Sequence, residues 1–272
     1  MATVEDVKKY WDARPCNIKH SQKEPGTKAF YDEQEAKKYF VEPHIKRLAE
    51  YEKWCGKKVL EIGCGLGADT INFARAGAHV TAVDLSEKSL ELAKKRAQVF
   101  GLSQNITFYQ ANVEELDKTV PTETYDLIYS FGVLHHTPNP RKAIECLMKY
   151  MSPTTQMRIM LYYKWSWKVL WIILKYGKGA FWNASKLVAR YSEAQEGCPQ
   201  TYIYSKKSVA QLLDGMDIKD IWVDHIFPYC IKEYRENIYI KRWYFRWMPL
   251  GLFSLLEIKF GWHLCLTCEI SY

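Results

Sequence analysis

Three glycines at alternate positions give this chain a turn suited to binding a ligand through its main chain. Gly63, Gly65 and Gly67 follow an apolar run, residues 59–62, in which Glu61 is the acidic member. Glycine has no Cβ, so such a turn reaches backbone angles closed to other residues and lets a ligand approach closely. A strand, a glycine turn and a helix in succession are typical of nucleotide sites in open α/β sheets.

A second acidic residue lies at the end of the next predicted strand. Residues 79–86 read HVTAVDLS, which places Asp84 and Leu85 about twenty residues beyond the glycines. A carboxylate has two acceptor oxygens and suits a pair of adjacent ribose hydroxyls. Ser86 is the expected N-cap of the helix that follows. The spacing therefore predicts a ribose site at Asp84.

The order of the predicted elements indicates an α/β fold with a doubly wound, mostly parallel sheet. Helical and strand patterns alternate from residue 57 onward, as expected when helices cover both faces of a sheet. The later predicted strands cover residues 105–116, 125–137, 156–164, 218–226 and 263–272. Helices are expected at 1–13 and between Phe30 and Trp54, with an interruption near Pro43, whose ring disfavours a continuous helix.

These motifs together resemble the class I S-adenosylmethionine-dependent methyltransferases, in the small-molecule, UbiE-like group. The glycine spacing is G-x-G-x-G after an acid, whereas dinucleotide oxidoreductases usually show G-x-G-x-x-G. The resemblance covers residues 55–165 well and includes the run SFGVLHH that begins at Ser130. It implies a seven-stranded sheet with an antiparallel last strand and S-adenosylmethionine as cofactor.

The resemblance also implies binding roles along the sheet. The residues expected to contact the cofactor are Glu61, Gly63, Cys64, Gly65 and Gly67 at its amino-acid end, Asp84 and Leu85 at the ribose, Asn112 and Val113 at the adenine, and Ser130 and Phe131 after the fourth strand. Asn112 departs from the acid usual in the family, but its carbonyl oxygen accepts the same hydrogen bond. Each position also has a structural alternative: a ligand-free turn, a helix cap or, for Cys64, a small buried thiol.

Candidates for acid–base chemistry come from two places in the chain. His135 and His136 follow the fourth strand, at the edge where open α/β sheets bind ligands, and imidazole titrates near neutral pH. Tyr10 and Arg14 lie in an N-terminal segment that related enzymes fold over the active site. The alternatives are a histidine that hydrogen-bonds the backbone and an arginine that pairs with a surface acid. A base is needed only if the acceptor arrives protonated.

Composition limits the remaining possibilities. The chain has 272 residues, a net charge of +7, 15% aromatic residues and eight cysteines. No apolar run reaches the roughly 18 residues of a spanning helix, and no signal-peptide pattern is present, so we expect a cytoplasmic, soluble protein with reduced thiols. Cys265 and Cys268 form C-x-x-C without a second pair at zinc spacing, and no histidines cluster in the sequence, so no metal site is expected.

The expected organisation has four parts. They are an N-terminal helical lid or substrate segment at 1–54, a cofactor-binding core at 55–164, a variable cap insertion at 165–204, and the end of the sheet with a further substrate-site insertion at 205–272. A loop is expected within the cap insertion, at 190–204. Within the same part, 165–182 is predicted to be helical, with an apolar stripe of Trp165, Val169, Ile172 and Ile173 that Trp167, Leu170 and Leu174 widen.

The function expected from the sequence is methyl transfer to a small organic acceptor by in-line displacement. One alternative is a lipid or quinone-like acceptor at a membrane surface, contacted through the Trp- and Lys-rich segment 165–182. Nucleic-acid methylation is less favoured, because the chain has FGVLHHTPNP where amino-base methylases carry their (D/N)PP(Y/F) motif. A non-catalytic cofactor-binding protein is the remaining alternative. The acceptor, the methylated atom and the oligomeric state stay open.

Overall fold

A twisted sheet of seven strands organises the part of the chain that this computed structural model describes, residues 2–179, 181–192 and 197–271. The strands are β1 Lys58–Ile62, β2 His79–Asp84, β3 Ile106–Gln110, β4 Tyr125–Phe131, β5 Met151–Tyr162, β6 Met216–Asp224 and β7 His263–Ile270. Their order across the sheet is β3-β2-β1-β4-β5-β7-β6, and β7 runs antiparallel to both of its neighbours. The fold class and the antiparallel last strand expected from the sequence are confirmed.

Helices cover both faces of this sheet. In chain order they are α1 Val4–Ala13, α2 Lys28–Val41, α3 His44–Ala49, α4 Ala68–Arg75, α5 Glu87–Val99, α6 Pro140–Met148, α7 Trp167–Tyr176, α8 Ala184–Tyr191, α9 Lys206–Leu212, α10 Ile231–Arg235, α11 Trp243–Arg246 and α12 Leu250–Phe260. No helix in the described ranges is long and apolar enough to cross a membrane.

The central strands are buried on both faces. Along β1, Leu60 packs into the core on one face, while Val59 packs into the core on the other. Ile128 and Leu127 of β4 divide in the same way. Such near-continuous apolar strands are expected where helices cover both sides of a parallel sheet.

Short polar residues start several helices where the sequence indicates a cap. The Ser86 hydroxyl accepts a hydrogen bond from the Ser89 N–H at 3.1 Å and starts α5, as predicted. Ser166 caps α7 in the same way. Asn139 caps α6, and Pro140 occupies the first turn, where its missing N–H costs nothing.

Two predicted strands are shorter than the sequence suggested. The third ends at Gln110, because the Asn112 side chain caps a 3-10 helix at Val113–Lys118. The fourth ends at Phe131, because Gly132 takes a φ of +79° and the chain turns into a second 3-10 helix, Leu134–His136. Both corrections move candidate site residues from strands into turns.

The N-terminal helix α2 is tied to the core by buried charges. Lys38 donates a hydrogen bond to Asp69 of α4 at 2.8 Å. Arg96 of α5, which is fully buried, pairs with Glu35 at 2.5 Å and donates to Gln34 at 2.7 Å. Breaking such buried pairs is strongly destabilising, so these contacts hold α2 firmly against the core. The four-part division of the chain stays a prediction.

The segment after β5 packs differently on its two sides. Of the predicted apolar stripe, Val169, Ile172 and Ile173 of α7 are buried, whereas Trp165 precedes the helix and is 54% exposed. The side expected to widen the apolar stripe is instead exposed, with Leu174 at 63%. The predicted loop at 190–204 begins at the end of α8, and residues 193–196 of it lie outside the described residues.

Candidate active site

The glycine turn follows β1 at the carboxyl edge of the sheet, and the space around its three glycines differs. A Cβ on Gly63 would lie 2.1 Å from a methyl group of Val133, so this position is closed by packing. A Cβ on Gly67 would lie 3.2 Å from Ala93 of α5. A Cβ on Gly65 would meet nothing within 4 Å of it. The space beside Gly65 is therefore free for a ligand to approach the main chain.

Glu61 lies buried under this turn. It accepts a hydrogen bond from the Thr70 hydroxyl at 2.5 Å. Burial, together with the nearby Asp69 carboxylate, raises the pKa of Glu61 to about 8. A cation placed beside Glu61 would favour its ionised form. The turn therefore suits a ligand that carries an ammonium group.

Asp69 collects the hydrogen bonds that hold α2 against the turn. Its Oδ1 accepts from the hydroxyls of Tyr39 and Tyr51, each at 2.7 Å, and its Oδ2 accepts from Lys38. Burial alone would raise the pKa of Asp69, but the Lys38 ammonium and these hydrogen bonds hold it below its usual value. Asp69 is therefore a charged structural group that no local sequence pattern marked.

Asp84 is held in a fixed orientation at the end of β2. Its Oδ2 accepts from the Gly65 N–H and its Oδ1 from the Ser86 N–H, both at 2.8 Å. A carboxylate has about four lone-pair sites, so both oxygens keep capacity for further donors. Burial raises the pKa of Asp84 to about 6. Leu85 follows, and its carbonyl accepts from Gln110 at 3.3 Å.

The remaining cofactor candidates bond to the local backbone or pack in the core. The Asn112 Oδ1 accepts from the Glu114 N–H at 3.1 Å, which leaves one lone pair for a second donor. Val113 and Cys64 are buried. The Ser130 hydroxyl donates to the carbonyl of Ile62 at 3.3 Å and is also buried. These contacts match the structural alternatives and leave their ligand roles as predictions.

Phe131 faces the other half of the edge. Its ring centroid lies 5.9 Å from that of His44 and 5.5 Å from that of His263. The Lys38 ammonium lies 5.8 Å from the same ring. Phe131 therefore stands between the glycine turn and a group of histidines that the sequence did not place together.

His136 is buried in an orientation that leaves one nitrogen available as a base. Its Nδ1 lies 3.0 Å from the carbonyl oxygen of Gln200. A carbonyl only accepts, so Nδ1 carries the proton and Nε2 keeps its lone pair. Nε2 is buried without a hydrogen-bond partner in the described part of the chain. Burial lowers the pKa of His136 to about 4, so the ring is neutral at pH 7.

His135 is fully buried beside it. Its ring lies against Tyr162, with centroids 3.7 Å apart. Neither ring nitrogen has a hydrogen-bond partner among the residues that the structure describes. Burial lowers the pKa of His135 well below its usual value. Unsatisfied buried polar atoms are costly, so two of them on one ring set His135 apart from an ordinary core residue.

The N-terminal candidates come to the same place. Trp11 of α1 contacts the His136 ring edge-on, with centroids 5.4 Å apart. Tyr10 packs against Trp11 and Arg14, and burial raises its pKa. A chain of contacts through Trp11 therefore links Arg14 and Tyr10 to His136 and His135. Cys198, 3.5 Å from His136 Nδ1, joins them unpredicted.

An apolar cavity of about 780 Å³ opens at the far end of the same edge. It lies between α7, α8, α11 and α12, next to the segments that follow β5 and β6. Its lining includes Leu170, Phe181, Phe245, Met248 and Phe260. Several aromatic side chains, among them Phe181 and Phe245, therefore form its wall.

The geometry around the glycine turn fits S-adenosylmethionine. The main chain is open at Gly65, and carboxyl groups stand at both ends, Glu61 in the turn and Asp84 beyond it. An ammonium-bearing amino acid and a ribose with two hydroxyls match these groups.

The methyltransferase-domain family matches residues 55–215 of the chain, which is more than half of it. The chain therefore belongs to this family. Its fold and motifs are those of a class I S-adenosylmethionine-dependent methyltransferase, which confirms the resemblance and the cofactor class expected from the sequence.

Individual relatives share part of the sequence. The ubiquinone biosynthesis O-methyltransferase of Aromatoleum aromaticum is 36% identical over 102 residues, which are 38% of this chain and 42% of that protein. The mitochondrial enzyme of the same description from Schizosaccharomyces pombe is 38% identical over 103 residues, covering 38% and 36%. The chain thus spans less than half the length of the curated relatives it matches.

Solved structures share the whole fold at low identity. The magnesium protoporphyrin IX methyltransferase of Synechocystis, with bound S-adenosylmethionine, has a TM-score of 0.59 and 16% identity, over 100% of this chain and 98% of that one. At this identity, the likeness shows the fold alone.

Proposed function

We propose that this chain transfers the methyl group of S-adenosylmethionine to an oxygen of a small organic acceptor with a largely apolar body. The observation that carries the proposal is the apolar cavity at the carboxyl edge of the sheet. Ligand pockets are mostly apolar, with few polar groups, and have volumes of roughly 300–1,000 Å³. The cavity is within this range, at about 780 Å³.

The position of the cavity supports an acceptor role. Lys164 and Trp165, which follow β5, and Ile226, which follows β6, belong to its lining. These segments end at the same edge as the glycine turn, where open α/β sheets bind ligands. An acceptor with its apolar body in the cavity would extend its reactive end along this edge toward Phe131 and Tyr162.

Positioning and water exclusion are the main tasks of the chain. When bound, the cofactor supplies a methyl group on a positively charged sulfur. Holding the acceptor oxygen in line with that group is worth several kcal/mol. In this proposal, His136 Nε2 accepts the proton of the acceptor hydroxyl, while Nδ1–H stays bonded to the Gln200 carbonyl. The neutral imidazole needs no prior deprotonation for this role.

The descriptions of the matched relatives favour an oxygen acceptor. Both are O-methyltransferases of ubiquinone biosynthesis, so the acceptor class we infer is a hydroxylated ring with an apolar substituent. Aromatic lining residues such as Phe181 and Tyr244 suit a flat ring.

Product formation tests this proposal directly. Purified protein is incubated with S-adenosylmethionine and a panel of phenols and catechols whose alkyl substituents increase in length, and S-adenosylhomocysteine is measured by mass spectrometry. We expect turnover to rise with the length of the apolar substituent. Equal turnover of polar and apolar phenols would contradict an acceptor role of the cavity, and no turnover of any phenol would contradict the proposed function.

A membrane surface is the second candidate, as the source of such an acceptor. Large apolar side chains are exposed around the cavity mouth and on α12, among them Trp182 at 84%, Trp247 at 82% and Leu250 at 77%. Exposed apolar patches of this kind mark interaction sites, and tryptophan favours the bilayer interface. We propose that this surface rests on a bilayer and takes the acceptor from it.

Vesicle binding tests the second candidate. We expect co-sedimentation with vesicles that contain anionic lipid, because lysines such as Lys168 and Lys175 accompany the tryptophans. Protein that stays in the supernatant with these vesicles would contradict it.

We also propose a cytoplasmic location, which the eight free cysteines support. The oligomeric state stays open.

A further inference from the structure

Three histidines and a glutamate from distant parts of the chain meet at the carboxyl edge of the sheet. His44 starts α3, His225 follows β6 and His263 starts β7, and all three are buried. Glu42 follows α2 and faces them. In the sequence the histidines are far apart, so spacing alone gave no sign that they meet.

The donor atoms of three of these residues converge. One carboxylate oxygen of Glu42 and one ring nitrogen each of His225 and His263 lie within 4.8 Å of one another. Ligands of a single tetrahedral zinc ion lie about 2.1 Å from it, and therefore roughly 3.4 Å from one another. Side-chain movements of about 1 Å would bring the three atoms onto one ion.

His44, which is not one of the three donor residues, orients the His263 ring. His44 Nε2 is 2.8 Å from His263 Nδ1, and His44 Nδ1 is 4.0 Å from Asp224 Oδ1. With Nδ1 occupied, the other nitrogen of His263, Nε2, is directed to Glu42, at 3.8 Å. Metal-binding histidines commonly have their second nitrogen held in this way, which fixes the ring.

The backbone at His225 gives an independent sign of a built site. Its φ is +73°, an uncommon angle for a residue with a side chain. The His225 carbonyl accepts from the Trp262 N–H at 2.7 Å, and Gly261 passes so close that a Cβ would lie 2.1 Å from the Asp224 oxygen. Strain of this kind costs about 1–3 kcal/mol and gathers at functional sites.

We propose that Glu42, His225 and His263 bind one divalent transition-metal ion of the Zn²⁺ or Fe²⁺ type. Two histidines and one carboxylate are a donor set used for both ions, and it leaves positions open for a further ligand. Two ammonium groups, Lys38 and Lys168, oppose the added charge, but Lys38 is already paired with Asp69.

The location connects the ion to the acceptor. His225 directly precedes Ile226 of the cavity lining, and the His263 ring lies 6.2 Å from that of Tyr162. On the proposed function, on which this step rests, the open positions would take the oxygen of the acceptor hydroxyl and hold it between the cavity and the glycine turn.

Cobalt titration tests the metal site. The full chain is treated with chelator, dialysed and titrated with Co²⁺ under visible absorption, and with Zn²⁺ in a calorimeter. We expect one ion per chain. Glu42→Gln and His225→Asn should each weaken binding at least about 100-fold; asparagine tolerates the positive φ of His225. His79→Asn, a change at an exposed histidine, should bind as the unsubstituted chain does.

Two outcomes would overturn the inference: the unsubstituted chain binds less than one ion, or Glu42→Gln binds as well as it does. Circular dichroism checks that each variant is folded, and Glu42→Gln carries the test if His225→Asn is not. S-adenosylmethionine affinity, measured on the same samples, should be unchanged. One bound ion without methyl transfer would count against the proposed function only, and methyl transfer without a bound ion against the metal site only.

Discussion

The two halves of the carboxyl edge are built in different ways. On the cofactor side, the site is formed mainly by the main chain. The glycine turn is open at Gly65, and the N–H groups of Gly65 and Ser86 hold Asp84 in place. On the side proposed for the acceptor, side chains form the site: His44, His225 and His263 meet there, beside an apolar cavity lined by the later helices.

This difference has a physical cause. A main-chain site needs a short run with set backbone angles, so its residues are contiguous and their pattern is recognisable. A side-chain site needs only groups that the fold brings together, so its residues are free to lie anywhere in the chain. Substitutions on the two sides should accordingly fail in different ways.

The largest effect is expected within the glycine turn itself. Gly63→Ala should lower the free energy of unfolding by about 3 kcal/mol, because the new methyl would overlap Val133 and the φ of +74° is unfavourable. Gly65→Ala should cost only about 1 kcal/mol, from its φ of +54°, yet weaken cofactor binding more than tenfold. Denaturant unfolding and calorimetry separate the two; equal losses of stability would contradict the distinction.

His136→Ala probes the point where the two sides meet. We expect turnover to fall about 100-fold, the range of general-base catalysis, while S-adenosylmethionine affinity stays within about twofold. The measurements are steady-state kinetics and calorimetry, with His79→Ala as the matched control. A rate equal to that of the unsubstituted chain would make His136 purely structural.

Asp84→Asn tests the ribose site and its charge. Loss of charge-assisted hydrogen bonds should weaken cofactor binding at least about tenfold. The pKa of Asp84 is about 6 and its ionised form binds, so affinity in the unsubstituted chain should fall as the pH is lowered through 6. Glu61, whose pKa is about 8, titrates at higher pH, so the fall through 6 is the part that Asp84→Asn should remove. Calorimetry between pH 5 and pH 8 checks both. If Asp84→Asn keeps the fall of cofactor affinity near pH 6, that fall is caused by the titration of another group.

The smallest effect concerns the outer surface of the acceptor side. Replacing Trp243 and Trp247 by serine should reduce the vesicle-bound fraction about threefold, because both side chains are largely exposed and lie outside the cavity lining. Val99→Ser, on α5, is the matched control. Turnover of a water-soluble phenol should be unchanged in both. Unchanged vesicle binding by the tryptophan variant would show that Trp243 and Trp247 do not form the membrane contact.

The sequence predicted the elements well where patterns are local. The strand before Gly63, the cap at Ser86 and the helix break near Pro43 follow from neighbouring residues and are present in the structure. It extended the third and fourth strands too far, because the cap at Asn112 and the turn at Gly132 end them. Apolar periodicity does not show such ends.

The candidate site divides along the same line. Glu61, Gly65 and Asp84 were recognisable because their roles depend on spacing along about twenty residues. Asp69 and Lys38 had no such signal, since a buried ion pair between α2 and α4 appears only when the helices pack. His44 and His263 were missed for the same reason, whereas His136 was found beside the fourth strand but its available nitrogen was not.

The sequence by itself determined the sheet, the glycine turn and the acid that faces it, because each is encoded by contiguous residues whose backbone preferences and burial patterns act locally. Only the tertiary structure decided which histidines meet, which nitrogen of His136 keeps its lone pair and where the aromatic residues enclose a cavity. Those features depend on distances between segments far apart in the chain, and packing alone sets such distances.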